Sequence, residues 1–579
     1  MRLPRPPPLV ARRCLLLVLA LWSLVAAAAG PGRAAIATAH PAATAAGLEV
    51  LEQGGNAFDA AVAISAALAV AEPFGSGLGG GGFWLLYRAS DDRTVMVDGR
   101  ERAPLAATPT LYLDANGQFD ARRSQDGPLA AAIPGQPAAL VHLARHYGRL
   151  PLATSLKPAI RLAREGFAVG HRYALMAGYR FPALLASPEA RRIFLAAGIV
   201  PLPGWTLRQP ELADTLQSLV DLGHEGFYGG AVAQRLVTSV RAAGGIWTQE
   251  DLASYQVIER EPITSIYRGM RITSASPPSS GGVVLTEALN ILAGVDLSTM
   301  PPATRTHWIT EAMRRAYADR ARYLGDPDSV SMPLTRLLNP AHGAQLRQSI
   351  DPLRATPSVP LEANDSLQPS LDRHTTHFSV IDAAGNRVAA TLSINTPFGS
   401  GFVAPGTGVV LNNEMDDFAA APGQANAYGL VGGSANAIAP GKRPLSSMTP
   451  TFLEQGDRLA ILGTPGGSRI ISMVLLASLA FADGADASAM VALPRYHHQY
   501  LPDILFFEAK AFDSETVKRL TALGHRMEQV SRDYGDMQAI TWNRRTGELS
   551  AASDPRGEGQ AKLQQLQVRR PAPEPAAAP

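Results

Sequence analysis

Cysteine is almost absent from this chain of 579 residues. The single one, Cys14, lies in the N-terminal segment. If that segment is removed, disulfides, cysteine catalysis and zinc–cysteine sites are excluded from the mature protein. An excess of charge of one sign is also lacking, since the formal net charge is +2 and acidic and basic residues are interspersed. This balance indicates neither a nucleic-acid partner nor a polybasic membrane-binding face.

The N-terminal segment has the pattern of a secretory signal peptide. Four arginines precede the apolar run 15–29, which ends in the small residues Ala27, Ala28 and Ala29. The run is short for a membrane span, and the small residues suit cleavage near Ala29. We expect residues 1–29 to be removed and the protein to be exported, to the periplasm or beyond, by the general or the twin-arginine route, with no stable membrane span.

The chain contains enough apolar residues for a large core, and many glycines and prolines that favour turns. Hydrophobic residues make up 46% of it, with 53 glycines and 45 prolines. Helical patterns with proline or Asn near the start and glycine near the end are frequent. We predict helices at 41–53, 57–70, 158–166, 211–223, 230–244 and 470–481, and another opening at 277–282.

The glycine run 77–82 fits the spacing of the dinucleotide-binding fingerprint G-x-G-x-x-G. That fingerprint requires a strand, then the glycines, then a helix. Here a helical pattern comes first and the strand pattern 83–87 follows. We therefore do not expect nucleotide binding.

A strand pattern at 375–382, rich in threonine and β-branched residues, is followed by a turn and a second strand pattern at 387–394. A three-residue loop with Gly385 in the left-handed conformation would start the pairing at Asp382 with Asn386. Counting back along this register places Ser393 directly opposite Thr375.

Asn395 then follows on the same face as the two hydroxyls. A threonine inside a chain is a poor nucleophile, because no base is guaranteed nearby. At a chain's N-terminus it carries its own base, an α-amine with a pKa of about 7.7–8.0.

The stretches 375–382 (TTHFSVID) and 393–399 (SINTPFG) resemble the start of the small subunit of γ-glutamyltransferases. Members of that family are N-terminal-nucleophile hydrolases that cut their own precursor immediately before the threonine. Further similar stretches are 56–62, 77–82, 307–328, 409–418, 444–448 and 463–469, so that the resemblance covers about residues 34–560. It implies a four-layer αββα sandwich and a reaction that needs no cofactor.

The resemblance also implies self-cleavage between His374 and Thr375. The products would be a large subunit of residues 30–374 and a small subunit of residues 375–579, which together form a heterodimer with one αββα body. The polar segment 352–373 suits a mobile end of the large subunit, and we expect the tail 565–579 to be disordered.

The site residues follow from the same resemblance. Thr375 would be the nucleophile, with its α-amine as base, Ser393 would orient it, and the amides of Gly466 and Gly467 would stabilise the oxyanion. The resemblance also implies which residues bind a γ-glutamyl donor such as glutathione. Its α-carboxylate would contact Arg100, with Arg102 as the fallback, together with Ser446 and Ser447. Its α-ammonium would contact Asn395, Glu414 and Asp417, and Tyr428 would lie on a lid loop at 421–443.

Two features depart from the family pattern: Ser393 stands where many members have threonine, and Glu414 stands where some bacterial members have glutamine. Two alternatives remain open: an acylase for glutaryl-cephalosporin-type amides, and a secreted binding protein without catalysis. Adjacent His497 and His498 do not form a metal-binding motif, and we interpret them as structural.

Overall fold

The computed structural model of the chain describes residues 30–359, 375–420 and 424–564. The predicted signal peptide, His374, most of the segment before it, and the predicted disordered tail lie outside the described residues. Within those ranges, none of the helices combines the length and apolar character that a bilayer crossing requires.

The strands of the described residues fall into four sheets, of which two are large. Their bounds are β1 Ala34–Thr38, β2 Gly81–Arg88, β3 Arg93–Gly99, β4 Phe167–Ala168, β5 Thr206–Leu207, β6 Ile258–Arg260, β7 Ile263–Tyr267, β8 Met270–Ser274, β9 Thr376–Ile381, β10 Arg387–Ser393, β11 Thr451–Gln455, β12 Arg458–Gly463, β13 Tyr496–His497, β14 Leu505–Phe507, β15 Met527–Gln529, β16 Gln538–Asn543, β17 Leu549–Ser553 and β18 Gln560–Gln564.

The α-helices are concentrated in the first 350 residues and after β12. Their bounds are α1 Pro41–Glu52, α2 Ala57–Ala71, α3 Ala121–Gln125, α4 Gln136–His146, α5 Leu152–Glu165, α6 His171–Tyr179, α7 Phe181–Ala186, α8 Pro188–Phe194, α9 Pro210–Leu222, α10 Glu225–Tyr228, α11 Gly230–Ala242, α12 Gln249–Ala253, α13 Gly281–Leu292, α14 Pro302–Tyr323, α15 Leu334–Leu337, α16 Pro340–Gln348, α17 Ile470–Ala482, α18 Ala487–Ala492 and α19 Ser514–Ala522.

The two large sheets pack face to face between layers of helices. One has the strand order β18-β1-β9-β10-β2-β3-β6 and the other β17-β16-β12-β11-β8-β7. Side chains along β2 alternate between two cores, as strand geometry requires. Phe83 and Leu85 join the core that contains the second sheet with α13, α14 and α17, whereas Trp84 and Leu86 join the core formed with α1, α2, α4 and α5. The predicted αββα sandwich is confirmed.

The hairpin β9–β10 lies in the middle of the seven-stranded sheet, between β1 and β2. Ser379 on β9 points toward the second sheet, where its hydroxyl donates to carbonyl oxygens of Ile461 and Gln538. The hairpin is therefore covered on both faces, and its first residues are fixed by the packing of both sheets.

Most predicted helices are present within one or two residues of their predicted ends, but α5 begins six residues before the predicted start at 158. Pro158 lies inside α5 rather than at its first turn. Proline removes one hydrogen bond of the helix. Burial of Leu156, Ala159 and Ile160 offsets that loss, and this packing could not be deduced from the local sequence.

The adjacent histidines are buried and hydrogen-bonded, as a structural role requires. One ring contacts the hydroxyl of Ser472 and the side chain of Gln499, and the other contacts Asp503. Burial lowers the pKa of His498 to about 4.

Candidate active site

The register predicted for the hairpin is confirmed. Asp382 N donates to Asn386 O over 3.0 Å, and Gly385 has a φ of 90°, in the left-handed region that favours glycine. The ladder continues in the same register to the last pair, in which Leu392 lies opposite Thr376. One step further along, Thr375 Oγ1 lies 3.3 Å from Ser393 Oγ, and both side chains are buried.

A narrow pocket opens over these two hydroxyls. Its lining combines charged, hydroxyl and apolar side chains from distant parts of the sequence: Arg100, Thr375, Ser393, Asn395, Glu414, Asp417, Tyr428, Leu430, Ser446, Ser447, Met448, Gly467 and Ile470. Of the predicted site residues that the structure describes, Gly466 and the fallback Arg102 are not part of this lining. The fallback Arg102 instead contacts Asp251 O and Ser254 Oγ.

Arg100 follows β3 directly, and its guanidinium is held by acids on two sides. Nη1 donates to Glu414 Oε1 over 2.5 Å and to Glu101 Oε2 over 3.4 Å, and Nη2 donates to Asp417 Oδ2 over 2.6 Å. Nε donates to Pro444 O over 3.1 Å. A guanidinium has five N–H groups, so these contacts leave the second hydrogen of Nη2 available to a ligand.

Three carboxyl groups around one guanidinium shift one another's titration. Burial raises the pKa of Glu414 well above its ordinary value, and repulsion from Glu101 adds to this shift. Burial also raises the pKa of Asp417, and that of Glu101 to about 7. Burial alone would lower the pKa of Arg100, but its attraction to Glu414, Glu101 and Asp417 holds it above the ordinary value. The acids outnumber the cation, so an additional positive charge would be stabilised here.

Two buried carboxylate oxygens of this group have no hydrogen-bond donor among the described residues. They are Glu414 Oε2 and Glu101 Oε1. An unsatisfied buried acceptor costs about 1–3 kcal/mol, and more when it is charged. Glu414 lines the pocket, so a donor brought by a bound molecule can satisfy its oxygen.

The hydroxyl groups of Ser446 and Ser447 also line the pocket. Ser446 Oγ accepts from Met448 N over 3.1 Å, and Ser447 Oγ accepts from Arg320 Nη2 over 3.1 Å. Because both oxygens already accept, their hydrogens are free to donate to an acceptor such as a carboxylate. Two hydroxyls backed by a buried guanidinium form an anion-binding surface.

Asn395 connects the hairpin to this pocket through an unusual backbone. Its φ is 70°, a conformation that is uncommon for residues other than glycine. Asn395 N donates to Ser393 Oγ over 2.8 Å, and its side-chain amide donates to Asn413 O over 2.9 Å. The amide oxygen is thereby left as an acceptor toward the pocket. Tyr428, on the predicted lid loop, donates from its hydroxyl to Asn395 O over 2.9 Å.

The glycine pair lies just before α17, in a tight turn. Gly466 has a φ of 143° and Gly467 a φ of 54°, and both values favour glycine. A side chain at Gly467 would also collide with the ring of Tyr428, whose Cδ1 would lie 2.3 Å from the added carbon. The turn thus brings backbone amides to the pocket at the N-terminal end of a helix, where developing negative charge is favoured.

Two charged residues that support the site were not predicted from the sequence. Glu101 directly follows Arg100, and its burial could have been suspected from the sequence V-D-G-R-E-R, where a charged pair follows an apolar strand. Arg320 is one of several arginines on α14, and nothing in the local pattern distinguishes the one that contacts Ser280 and Ser447.

Comparisons with known proteins agree on one family. The family model described as gamma-glutamyltranspeptidase matches residues 43–563. The chain is 41% identical over 526 residues to the glutathione hydrolase proenzyme of Escherichia coli (strain K12), covering 90% of each chain.

Two solved structures are also similar. The cephalosporin acylase from Bacillus halodurans superposes with a TM-score of 0.80 at 30% identity, covering 92% of this chain and 95% of that one. The gamma-glutamyltranspeptidase of Helicobacter pylori has a TM-score of 0.54 at 41% identity, covering 55% of this chain and 92% of that one.

Proposed function

The chain belongs to the γ-glutamyltranspeptidase family, and from that premise we propose that it is a self-processing glutathione hydrolase and γ-glutamyltransferase. Its substrates are glutathione and related γ-glutamyl amides, and its acceptors are water and amino acids or peptides. The reaction needs no cofactor. Residues 1–29 direct the export of the enzyme and are removed in the process.

The first step is cleavage of the precursor before Thr375. Thr375 Oγ attacks the carbonyl carbon of His374, the peptide C–N bond breaks, and the hydroxyl proton passes to the leaving nitrogen, which becomes the new α-amine. Water then hydrolyses the ester, which leaves a carboxylate at the end of the large subunit, residues 30–374, and restores the hydroxyl of Thr375.

The strand order supports a heterodimer that stays together after this cut. The seven-stranded sheet alternates between the two products, since β1 pairs with β18 and β9, and β10 pairs with β2. In the other sheet, β11 pairs with β8. Separating the subunits would therefore break four strand pairings and expose the cores on both sides of the seven-stranded sheet.

Transfer of the glutamyl group follows the same chemistry. Thr375 Oγ attacks the γ-carbonyl carbon of the donor while the α-amine takes the hydroxyl proton, and the amides of Gly466 and Gly467 stabilise the oxyanion. The amine then protonates the leaving nitrogen, and the γ-glutamyl ester of Thr375 remains. Water or an amino acid attacks this ester, and Ser393 holds the oxygen of Thr375 in position throughout.

The observation that carries the proposal is the pairing of an anion-binding and a cation-binding side within one pocket beside Thr375. The donor's α-carboxylate meets Ser446, Ser447 and the open N–H of Arg100. Its α-ammonium meets Asn395, the unsatisfied oxygen of Glu414, and Asp417. A γ-glutamyl group carries both charges on one carbon, so it fits both sides at once.

The second candidate function is an acylase for glutaryl amides, because a cephalosporin acylase structure superposes with a TM-score of 0.80. A glutaryl group has the same chain length but no α-ammonium. The unsatisfied oxygen of Glu414 would then gain no donor from the ligand, and this favours the γ-glutamyl function.

The test is Asp417→Ala, assayed with a γ-glutamyl anilide and a glutaryl anilide. Losing one member of a desolvated charge pair costs about 2–5 kcal/mol, and each 1.4 kcal/mol is about tenfold. We expect kcat/KM for the γ-glutamyl anilide to fall at least about thirty-fold, and for the glutaryl anilide far less. A wild-type preference for the glutaryl anilide, or an equal loss for both, would support the acylase instead.

A further inference from the structure

Three helices bring a histidine and two carboxylates together outside the pocket described above. Glu287 lies on α13, Asp319 on α14 and His342 on α16. One potential ligand atom of each lies within 4.8 Å of the other two. The three residues are far apart in the sequence and form no short motif, so only the fold reveals the cluster.

The distances within this cluster suit a single ion. His342 Nε2 lies 2.9 Å from Asp319 Oδ2 and 3.8 Å from Glu287 Oε1. Ligand atoms bound tetrahedrally at about 2.0–2.1 Å from zinc are about 3.3 Å apart, so both spacings need little adjustment. The side chain of His342 is 13% exposed, which leaves a route for an ion and for water.

Glu287 provides the second, independent observation. It is 1% exposed, and its Oε1, the oxygen that faces His342, has no hydrogen-bond partner among the described residues. Among the described residues, no lysine or arginine nitrogen lies within ion-pair distance of Glu287 or Asp319. Arg336 acts on both only from farther away, with its guanidinium over the ring of Tyr323.

Two adjacent buried carboxyl groups require either a shared proton or a cation. Among the described residues, His342 is the one group within ion-pair distance that could offset the charge of Glu287 and Asp319. A divalent cation would offset that charge and displace the proton.

A second cluster of potential metal-ligand side chains differs from this one in how its carboxylate is neutralised. His307, Glu311 and His525 also lie within ligand distance of one another. There, however, Glu311 is paired with Arg314 and Arg315, and the two histidine rings hydrogen-bond to each other over 2.8 Å. Its carboxylate is already neutralised, so this cluster gives no reason to bind a cation.

We propose that Glu287, Asp319 and His342 bind one divalent first-row transition ion, with zinc as the best match to one nitrogen and two oxygen ligands. Water completes the coordination. The ion is structural and takes no part in the proposed reaction. It joins α13, α14 and α16, and the residue after Asp319 is Arg320, which supports Ser447 in the pocket wall.

The experiment measures thermal unfolding of the chelator-treated, purified enzyme against zinc concentration at neutral pH. At about one hundred times the Kd, binding to the folded state alone should raise the midpoint by about 2–4 °C. Glu287→Gln and His342→Gln should each weaken zinc affinity at least about tenfold, since even residues behind a metal ligand contribute that much. His525→Gln, in the contrasting cluster, should leave the zinc response unchanged.

Glu287→Gln also gives a result that does not depend on metal. Because it removes one of two crowded carboxyl groups, the variant should unfold no earlier than wild type in chelator, while its response to zinc is lost. The proposal is overturned if zinc does not stabilise wild type, if both cluster variants respond to zinc as wild type does, or if only His525→Gln loses the response.

Discussion

Replacing Ser393 with alanine separates two effects that the structure assigns to one hydroxyl. Ser393 Oγ accepts from Asn395 N over 2.8 Å and lies 3.3 Å from Thr375 Oγ1. Because the oxygen already accepts, its hydrogen is available to the nucleophile. The variant should therefore lose both a contact that positions Thr375 and a partner for a buried backbone N–H.

The two losses differ in size and in what they change. One hydrogen bond contributes about 0.5–1.5 kcal/mol, so turnover and self-cleavage should each slow about two- to twelve-fold. The unsatisfied amide of Asn395 should cost about 1–3 kcal/mol of folding stability. Ser393→Thr keeps the hydroxyl and should restore both rates.

The assays are the half-time of precursor cleavage on a denaturing gel, kcat with a γ-glutamyl anilide, and the urea-unfolding midpoint. Ser379→Ala is the matched control, because it removes another buried hydroxyl from the same hairpin, one that contacts Ile461 and Gln538 rather than Thr375. It should lower stability without slowing cleavage. Wild-type rates in Ser393→Ala would refute the role of Ser393.

Two further predictions concern the glycine turn at 466–467 and the buried His377 of the hairpin. Gly467→Ala should lower kcat by about 10²–10³, as loss of an oxyanion donor typically does, because the added carbon would strain a φ of 54° and collide with Tyr428. Gly456→Ala, with a φ of 58° and open space around it, should cost stability only, and equal kcat values in the two variants would contradict this. Burial lowers the pKa of His377 to about 3, so the unfolded chain binds a proton that the folded chain excludes. The free energy of unfolding should therefore fall by up to about 1.4 kcal/mol per pH unit as the pH drops from about 6.5 toward 3. Urea unfolding between pH 6.5 and 4 should show a shallower acid slope in His377→Gln, and an unchanged slope would show that another group titrates.

The hairpin could be predicted from the sequence because it is local. A three-residue loop with glycine in the left-handed position fixes the register, and the register alone places Ser393 opposite Thr375. The helices ending at glycine were predictable for the same reason, since their signals lie within a few residues of the ends.

The parts that sequence did not predict depend on packing between distant segments. Arg320 supports the pocket from α14, but its burial depends on α13 and on the segment that carries Ser447. The pairing of Arg100 with both Glu414 and Asp417 joins residues more than 300 positions apart. The cluster of Glu287, Asp319 and His342 likewise exists only once three helices meet.

The central claim is that Thr375 becomes an N-terminal nucleophile by cutting the chain in front of itself. The direct measurement is the number and mass of the chains in purified wild type and Thr375→Ala, with N-terminal sequencing of any smaller product. Wild type should give two chains, the smaller beginning at Thr375, and Thr375→Ala should remain a single inactive chain. A wild-type protein that stays whole, or an alanine variant that still splits at this position, would contradict the account.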